Sequence, residues 1–306
     1  MTRKATYVGI SLLILTIFLV TPAIGETFEN NVLIIASSTS LNDTGLLYVL
    51  GPLFEKEADV IVRWMSIGAG VSLERGKLGD VDLVMVNDRA AEDMFIDEGF
   101  GVERRAFAYN YFVLVGPESD PAGVSEMTPA DAFATIMEMG IEDSSAVKFI
   151  SRGDNSGTHS REKVIWSSAG FEYADVQTSG DWYIKAENDM TNTLRMANEM
   201  GAYTLSDMGT FFAYHGYWSP DLVSIVKEGD DLLNVYSAIL VNPEIKNSIN
   251  APLGAAWINF LISDDVQSII SDFGVDEYST PLFFGAKGNE NVIGVSVDET
   301  SSPVTV

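Results

Sequence analysis

Hydroxyl-bearing residues gather where one predicted strand near the N-terminus ends. Four of them are consecutive, Ser37-Ser38-Thr39-Ser40, and they follow the apolar run 32–36, which is typical of a buried strand. A helix is predicted shortly after them, over residues 45–57. Hydroxyl groups and the free backbone N–H groups of a helix N-terminus can together donate hydrogen bonds to an anion. Because the same residue types also cap helices, this segment taken alone favours a capping interpretation.

A second polar segment, residues 151–159, follows the predicted strand 147–150 and reads Ser-Arg-Gly-Asp-Asn-Ser-Gly-Thr-His. The guanidinium of Arg152 can hold an oxyanion through two parallel hydrogen bonds, and the two glycines let the backbone approach a ligand closely. The segment opens directly onto a predicted helix. Its residue types favour anion binding over the alternative, a solvated turn with an Arg152–Asp154 ion pair.

A third segment, Ser66-Ile67-Gly68-Ala69-Gly70, follows the predicted strand 60–62. Its glycines permit a tight turn, and they also permit backbone N–H groups that face a ligand. Taken alone, a Gly-x-Gly pattern does not distinguish the two.

Strands and helices must bring these segments together. Short β-branched runs alternate with helical patterns, which predicts an open parallel sheet with helices on both faces. A strand, a Ser/Thr/Gly turn and a helix occur over residues 32–57 and again over 147–168, so two similar α/β lobes are expected. The chain should cross between them near 109–116 and 226–236. Since ligands of open α/β sheets bind at the carboxyl ends of strands, the polar segments would close on a ligand between the lobes.

The predicted boundaries divide the chain into four parts. Residues 26–111 and 228–288 form the first lobe, residues 112–227 form the second, and residues 289–306 form a C-terminal extension without an assigned role. Residues 1–25 have the layout of a secretory signal peptide, with basic residues, an apolar run and a small-residue exit. An uncleaved N-terminal membrane anchor is the alternative, because the apolar run is nearly long enough to span a bilayer. In both cases the rest of the chain is expected outside the cytoplasmic membrane.

Composition limits the classes of function. The 306 residues carry 44 acidic and 18 basic side chains, a formal charge of −26, which argues against nucleic-acid binding because phosphate contacts need a basic surface. With no cysteine and two histidines, disulfides and structural zinc are not expected. Salt screens surface charges beyond about 8–10 Å, so an anion site is compatible with this acidic coat if the site itself is rich in donors.

Together the segments resemble the tungstate-binding proteins of the TupA type. The resemblance covers residues 32–274 and rests on Ser37-Ser38-Thr39-Ser40 with Asn42-Asp43-Thr44-Gly45-Leu46, on Gly79-Asp80-Val81-Asp82, on Ser151 to His159, and on Gly201-Ala202-Tyr203-Thr204-Leu205-Ser206-Asp207. It implies an α/β, two-lobed type II periplasmic-binding-protein fold, each lobe a mainly parallel sheet flanked by helices, with the ligand in the interlobe cleft. It implies that tungstate, or molybdate, is bound by Ser37, Ser38, Thr39, Ser66, Gly68, Ala69, Arg152, Ser156, Gly157 and Thr158.

The resemblance also implies partners. The closed, ligand-bound form would dock on a membrane permease driven by a cytoplasmic ATPase, and the protein would act as a monomer without a cofactor. One departure is visible: the family usually carries threonines where this chain has Ser37 and Ser38. The swap keeps the hydroxyl donors, so it affects selectivity among oxyanions rather than the ligand class.

Asp154 separates two kinds of oxyanion. Phosphate binders of this superfold have a similar Arg-x-Asp-x-Ser-Gly-Thr loop. Phosphate keeps a proton at neutral pH, and this O–H group can donate a hydrogen bond to a carboxylate. Tungstate and molybdate carry no such proton, so an inward carboxylate would repel them. A tungstate site therefore predicts that Asp154 faces away, paired with Arg152 or capping the helix. An inward Asp154 would favour phosphate.

Other functions remain possible from the residues alone. They are the binding of molybdate, phosphate or sulfate, an oxyanion sensor that signals through a membrane protein, and a hydrolase. Ser156 lies near His159 in sequence, but no Gly-x-Ser-x-Gly elbow is present, and His159 is expected to be a polar surface or capping residue. The segment 203–207 is expected to serve structure, with Ser206 or Asp207 capping the next helix. We therefore expect a binding protein rather than an enzyme.

Overall fold

The computed structural model describes residues 31–218 and 221–306, apart from the side chain of residue 217. The segment interpreted as a signal peptide or anchor lies outside the described residues. Within them, none of the helices combines the length and the apolar character needed to cross a membrane.

The described strands are β1 (Val32–Ser37), β2 (Ile61–Ser66), β3 (Leu83–Val86), β4 (Gly101–Pro117), β5 (Phe149–Ser151), β6 (Tyr183–Lys185), β7 (Thr204–Asp207), β8 (Leu222–Val226), β9 (Leu233–Val241) and β10 (Phe284–Gly285). The described helices are α1 (Thr39–Asp43), α2 (Leu46–Ala58), α3 (Ala69–Lys77), α4 (Arg89–Asp97), α5 (Pro129–Glu142), α6 (Gly157–Ser168), α7 (Tyr173–Val176), α8 (Met190–Met200), α9 (Met208–Trp218), α10 (Ala251–Leu261), α11 (Asp264–Asp272), α12 (Val275–Tyr278), α13 (Glu290–Ile293) and α14 (Val297–Ser301), with a 3₁₀ turn at Asp230–Leu232.

The first lobe is a mixed sheet in the order β10-β4-β9-β3-β1-β2. β1 pairs in parallel with β2 and β3, whereas β9 runs antiparallel to both β3 and β4. Helix α2 covers one face with Leu46, Leu50 and Phe54, whose spacing of four places them on one side of the helix. Helices α3 and α4 cover the other face through residues such as Leu73 and Phe95. The carboxyl ends of β1, β2 and β3 thus lie at one edge of a buried sheet.

The second lobe is arranged around the C-terminal half of β4, which pairs antiparallel with both β7 and β8. β5 joins this sheet because the Ile150 N–H donates to the Tyr203 carbonyl oxygen at 2.8 Å, and it pairs in parallel with β6. The core of the second lobe is aromatic: the Phe133 and Trp166 rings, both fully buried, have centroids 4.6 Å apart. This packing fixes β5 and α6, the two elements on either side of residues 152–156.

β4 runs through both sheets. It pairs with β9 as far as Tyr111 and with β7 from Phe112 onward. The chain returns between the end of β8 at Val226 and the start of β9 at Leu233. Two crossings of this kind are the geometry in which lobes can rotate about a hinge.

The α/β class predicted from the sequence is confirmed, but the expectation of mainly parallel sheets is wrong in detail. The first-lobe sheet is mixed, and in the second lobe β4 pairs antiparallel with β7 and β8 while β5 pairs in parallel with β6. The cause lies in the crossings between the lobes. The chain leaves the first lobe along β4 and returns along β9, so these two neighbouring strands run in opposite directions and pair antiparallel. The segment 203–207 forms strand β7, and Asp207 Oδ1 accepts from the Thr210 N–H at 2.8 Å, so the expected helix cap is present.

Residues 289–306 pack against the first lobe. Val304 is 3% exposed within its core, and its backbone N–H donates to Asn259 Oδ1 at 2.7 Å while its carbonyl oxygen accepts from Asn259 Nδ2 at 2.9 Å. Glu299 forms ion pairs with Arg89 and Arg104. The segment is therefore an integral part of the lobe.

Candidate oxyanion-binding site

The first-lobe loop, residues 37–39, connects β1 to α1. Ser37 ends the strand and Ser38 is the N-cap of the helix, with its backbone N–H donating to the Met85 carbonyl oxygen at 2.9 Å. Both serine Oγ atoms are buried and have no hydrogen-bond partner. A buried hydroxyl without a partner costs about 1–3 kcal/mol. Two hydroxyl donors thus lie side by side without an acceptor at the end of β1.

Arg152 reaches this loop from the second lobe. It follows β5, is 4% exposed, and its Nη1 donates to Thr39 Oγ1 at 3.3 Å. Its Nη2 donates to Asp154 Oδ2 at 2.5 Å, whereas its Nε is buried without a partner. One guanidinium thus contacts both lobes and still has a donor free for a ligand.

The oxyanion loop, residues 152–158, ends on the N-terminus of α6. Ser156 is the N-cap of this helix, and its Oγ accepts from the His159 N–H at 3.3 Å. Asp154 Oδ1 accepts from the Ser156 N–H at 3.1 Å, so both oxygens of this carboxylate have protein partners. The expectation that Asp154 pairs with Arg152 agrees with this geometry. The helix is 12 residues long, and its N-terminus carries a partial positive charge.

The glycine turn, residues 66–70, lies beside the first-lobe loop because Ser37 and Ser66 are register partners on β1 and β2. Gly68 is the N-cap of α3 with a φ of 79°, which a side chain would strain. A Cβ on Gly70 would lie 3.0 Å from the Asn155 carbonyl oxygen. The turn therefore packs directly against the oxyanion loop across the cleft.

The structure brings the three predicted segments to one place. Thr39 contacts Arg152 directly, and Ser37, Ser38, Ser66 and Gly68 lie at the facing edge of the first lobe. The remaining candidates are at helix starts: Ala69 is fully buried at the first residue of α3, where it can offer only its backbone, and Ser156, Gly157 and Thr158 begin α6.

Asn87 was missed at the sequence level. It follows β3, so the rule that ligands bind at strand ends could have found it. A Cβ on Gly157 would lie 2.7 Å from Asn87 Cγ, which shows how closely the two lobes meet here. Asn87 Nδ2 donates to Asn234 Oδ1 at 2.9 Å, while its own Oδ1 is buried without a partner.

The carboxyl groups near Arg152 are modified by burial. Burial raises the pKa of Asp43 to about 6, against a hydrogen bond from Asn42 that lowers it, with Asp207 adding to the rise. Burial also raises the pKa of Asp207, whose Oδ2 has no partner. A raised pKa favours the uncharged acid, which reduces repulsion of an anion. Below about pH 6, Asp43 is therefore mainly uncharged and repels an anion less.

His159 has no catalytic geometry. Its ring is buried, with Nδ1 accepting from the Asn155 N–H at 2.9 Å and Nε2 hydrogen-bonded to the Tyr173 hydroxyl at 2.7 Å. Burial, helped by Lys163, lowers its pKa to about 4. Both ring nitrogens are therefore occupied, and neither contacts the Ser156 hydroxyl. Across the described residues, no group of three or more His, Asp or Glu side chains is placed to hold a metal ion.

Comparison with known proteins gives consistent matches. A family model described as a PBP superfamily domain matches residues 21–265. The tungstate-binding protein TupA of Peptoclostridium acidaminophilum is 36% identical, covering 84% of this chain and 87% of the relative. A Haloferax volcanii protein, named for anion binding in an ABC transporter, is 41% identical and covers 87% and 75%. The solved tungstate-binding protein TupA of Desulfovibrio alaskensis has a TM-score of 0.69 at 37% identity, covering 83% of this chain and 98% of that one.

A two-lobed α/β fold with donors converging between its lobes defines a binding protein of the PBP superfamily. Within that superfamily, the chain belongs to the family of TupA-type tungstate-binding proteins. The relatives are named as binding proteins, and the expectation of a binding protein rather than an enzyme is confirmed.

Proposed function

We propose that this protein is the extracytoplasmic binding protein of an ABC importer and that it captures tungstate between its lobes. The observation that supports this most is the set of buried donors without partners, the hydroxyls of Ser37 and Ser38 and the Nε of Arg152. They come from both lobes, so a single bound anion would satisfy them and hold the lobes together. Such a ligand replaces the acceptors that water provides in the open form.

The donor set favours an oxyanion that carries no proton. Both oxygens of Asp154 already accept hydrogen bonds, from Arg152 and from the Ser156 backbone. The carboxylate is thus engaged by the protein on both oxygens, which favours an anion that has no hydrogen bond of its own to donate. Tungstate and molybdate are nearly equal in size and equal in charge, so both are expected to bind, and the names of the TupA relatives favour tungstate as the physiological ligand.

Delivery requires partners outside this chain. In the proposed role, residues 1–25 direct export, the protein acts as a monomer, and the closed form docks on a permease coupled to an ATPase. A related solved structure supports the transporter assignment: the tungstate ABC transporter from Geobacter sulfurreducens is 40% identical and has a TM-score of 0.69.

Calorimetric titration of the protein produced without residues 1–25 tests this proposal. Tungstate, molybdate, phosphate and sulfate would each be titrated into the wild type, Arg152→Ala and Arg63→Ala. Arg63 is exposed on β2, so it controls for the loss of one positive charge. Tungstate should bind with one-to-one stoichiometry. Arg152→Ala should weaken tungstate binding by at least about 30-fold, because the buried anion then loses its charged hydrogen-bond partner.

The outcomes separate the alternatives. Tight binding of phosphate with weak binding of tungstate would assign the protein to phosphate capture. No measurable heat with any of the four anions would reject oxyanion binding and return a sensor or hydrolase to consideration.

A further inference from the structure

Two backbone amides of the oxyanion loop are held from beneath by buried side chains. The Gly153 N–H donates to Ser151 Oγ at 3.1 Å, and the Asn155 N–H donates to His159 Nδ1 at 2.9 Å. Gly153 and Asn155 both have left-handed backbones, with φ values of 65° and 58°. For a residue with a side chain this conformation is unfavourable, so it persists only where the surroundings impose it. The loop therefore depends on these two amide contacts.

Ser151 leads from the first amide to Glu162. This glutamate is 1% exposed on α6, and its Oε2 accepts from Ser151 Oγ at 2.6 Å. Its Oε1 accepts from the Tyr183 hydroxyl at 2.6 Å and from Trp166 Nε1 at 3.1 Å. Three donors converge on two oxygens, an arrangement that favours the ionised carboxylate, because all of its lone pairs are acceptors.

A second branch leads from the other amide to the same carboxylate. Because His159 Nδ1 accepts from Asn155, the proton of the neutral ring is on Nε2 and is donated to the Tyr173 hydroxyl at 2.7 Å. The Tyr173 and Tyr183 hydroxyls are 3.0 Å apart. The Tyr183 hydroxyl is the donor in this contact as well as in the contact with Glu162 Oε1, so its single proton is shared between the two acceptors. His159, Tyr173 and Tyr183 thus form a continuous hydrogen-bonded chain that ends at Glu162.

We propose that Glu162 is a positioning residue for oxyanion capture: through Ser151 on one side and Tyr183, Tyr173 and His159 on the other, its carboxylate fixes the loop that aims Arg152 at the ligand. The mechanical link is Asp154, which lies between the two held amides and pairs with the Arg152 guanidinium. This inference rests on the proposed function. Glu162 itself does not touch the anion, and it acts only through the loop.

The proposal has a pH signature. Burial raises the pKa of Glu162 to about 7, against hydrogen bonds from Ser151, Tyr183 and Trp166 and the nearby charge of Lys163 that lower it. His159, which faces Lys163, Asp154, Arg152 and Lys185, stays uncharged because its pKa is about 4. As pH falls through about 7, Glu162 gains a proton and loses acceptor capacity, so the loop loosens. The affinity for an anion of fixed charge should fall with it.

Glu162→Gln tests this role of the carboxylate. Glutamine is uncharged at every pH, and its side-chain NH₂ group donates hydrogen bonds where a carboxylate oxygen accepts them. Tungstate affinity would be measured by calorimetry from pH 6 to 8 for the wild type, Glu162→Gln and Glu92→Gln. Glu92 is a matched control: it is also fully buried, its pKa is also raised to about 7 by burial, and it lies on α4, away from the loop. Other groups that titrate near the site, Asp43 included, affect the wild type and the variant alike. Their effects therefore cancel in the ratio of the two affinities.

We expect Glu162→Gln to weaken tungstate binding by about 10- to 100-fold at pH 8, the range for a lost charge-assisted hydrogen bond, and to approach the wild type at pH 6. Glu92→Gln should give a ratio that does not change with pH. A Glu162→Gln protein that binds tungstate as tightly as the wild type at pH 8 would overturn this proposal and leave the proposed function standing. So would a ratio of wild-type to Glu162→Gln affinity that does not change with pH. A wild type that binds no oxyanion would overturn the proposed function and this inference with it.

Tyr183→Phe decides the case if Glu162→Gln does not fold. It keeps the ring and removes one neutral hydrogen bond, so a loss of about 3- to 10-fold is expected at pH 8. The midpoint of the pH effect should move above that of the wild type, because the carboxylate loses a donor. Tyr48→Phe, at a hydroxyl on an exposed ring, is the control and should change neither value. An unchanged affinity and midpoint in Tyr183→Phe would contradict the proposal.

Discussion

Gly157 begins α6 at the point where the two lobes meet most closely. A Cβ at this position would lie 2.7 Å from both Cγ and Nδ2 of Asn87, closer than such contacts are found in folded proteins. The Gly157→Ala variant should therefore resist closure of the lobes. Because the free protein can relieve the overlap by opening, its folding stability should be unchanged, or slightly raised by the better helix propensity of alanine.

The size of the effect follows from what must move. To make room, the Asn87 side chain would leave its 2.9 Å hydrogen bond to Asn234 Oδ1, a loss of about 0.5–1.5 kcal/mol. Displacement from its preferred rotamer adds about 0.5–1.5 kcal/mol. The sum of about 1–3 kcal/mol corresponds to a loss of tungstate affinity of about 5- to 150-fold.

A double-mutant cycle with Asn87→Ala isolates this contact. Calorimetric affinities and thermal unfolding midpoints would be measured for the wild type, both single variants and the double variant. With the amide removed, Gly157→Ala should cost nothing, so the coupling between the two substitutions should equal most of the Gly157→Ala effect. An equal loss in both backgrounds, or a lowered unfolding midpoint in Gly157→Ala, would refute the reasoning.

Three further predictions concern other parts of the molecule. Burial raises the pKa of Glu92 from 4.5 to about 7, so its contribution to stability is present below pH 4.5 and lost as pH rises through 7. Urea denaturation should show that Glu92→Gln reduces the loss of stability between pH 4.5 and 8 by up to about 3 kcal/mol, and an unchanged loss would contradict this. Asp43, with a pKa raised by burial to about 6, becomes charged near Arg152 above that pH. Asp43→Asn should therefore remove a contribution that lowers tungstate affinity as pH rises, so the ratio of variant to wild-type affinity should increase between pH 5 and 7 in calorimetric titrations; a ratio independent of pH would contradict this. Val304→Ala should lower the free energy of unfolding by about 1.5–3 kcal/mol, whereas Val306→Ala, at an exposed side chain, should leave it unchanged; equal effects would show that residues 289–306 do not pack as described.

Local patterns were enough to place the three polar segments. β1, β2 and β5 are short and mainly apolar, and each ends in a serine, with a further hydroxyl or glycine residue within the next two positions. The edge rule for α/β sheets then brings them together without any knowledge of contacts. Asn87 obeys the same rule after β3, but a single asparagine before Asp88 was indistinguishable from an ordinary helix start.

Other features depend on contacts between residues far apart in sequence. The sequence predicts a helix cap at Ser206 or Asp207 but no strand before it, because the four residues Thr204–Asp207 have no period that distinguishes a strand. Only pairing with β4 defines β7. The Glu162 network joins residues on β5, α6, α7 and β6. A lone glutamate on a predicted helix is usually exposed, so nothing in the sequence indicated that this one is buried beneath the oxyanion loop.

The central claim is that one oxyanion lies between the lobes, held by donors from both. A crystal grown with stoichiometric tungstate tests it directly, because tungsten gives a strong anomalous signal at its absorption edge. The account predicts one major peak per chain, placed between the lobes. At that position the tungstate oxygens accept hydrogen bonds from the Ser37 and Ser38 hydroxyls and from Arg152 Nε. A peak elsewhere, or a protein that excludes tungstate at saturating concentration, would contradict it.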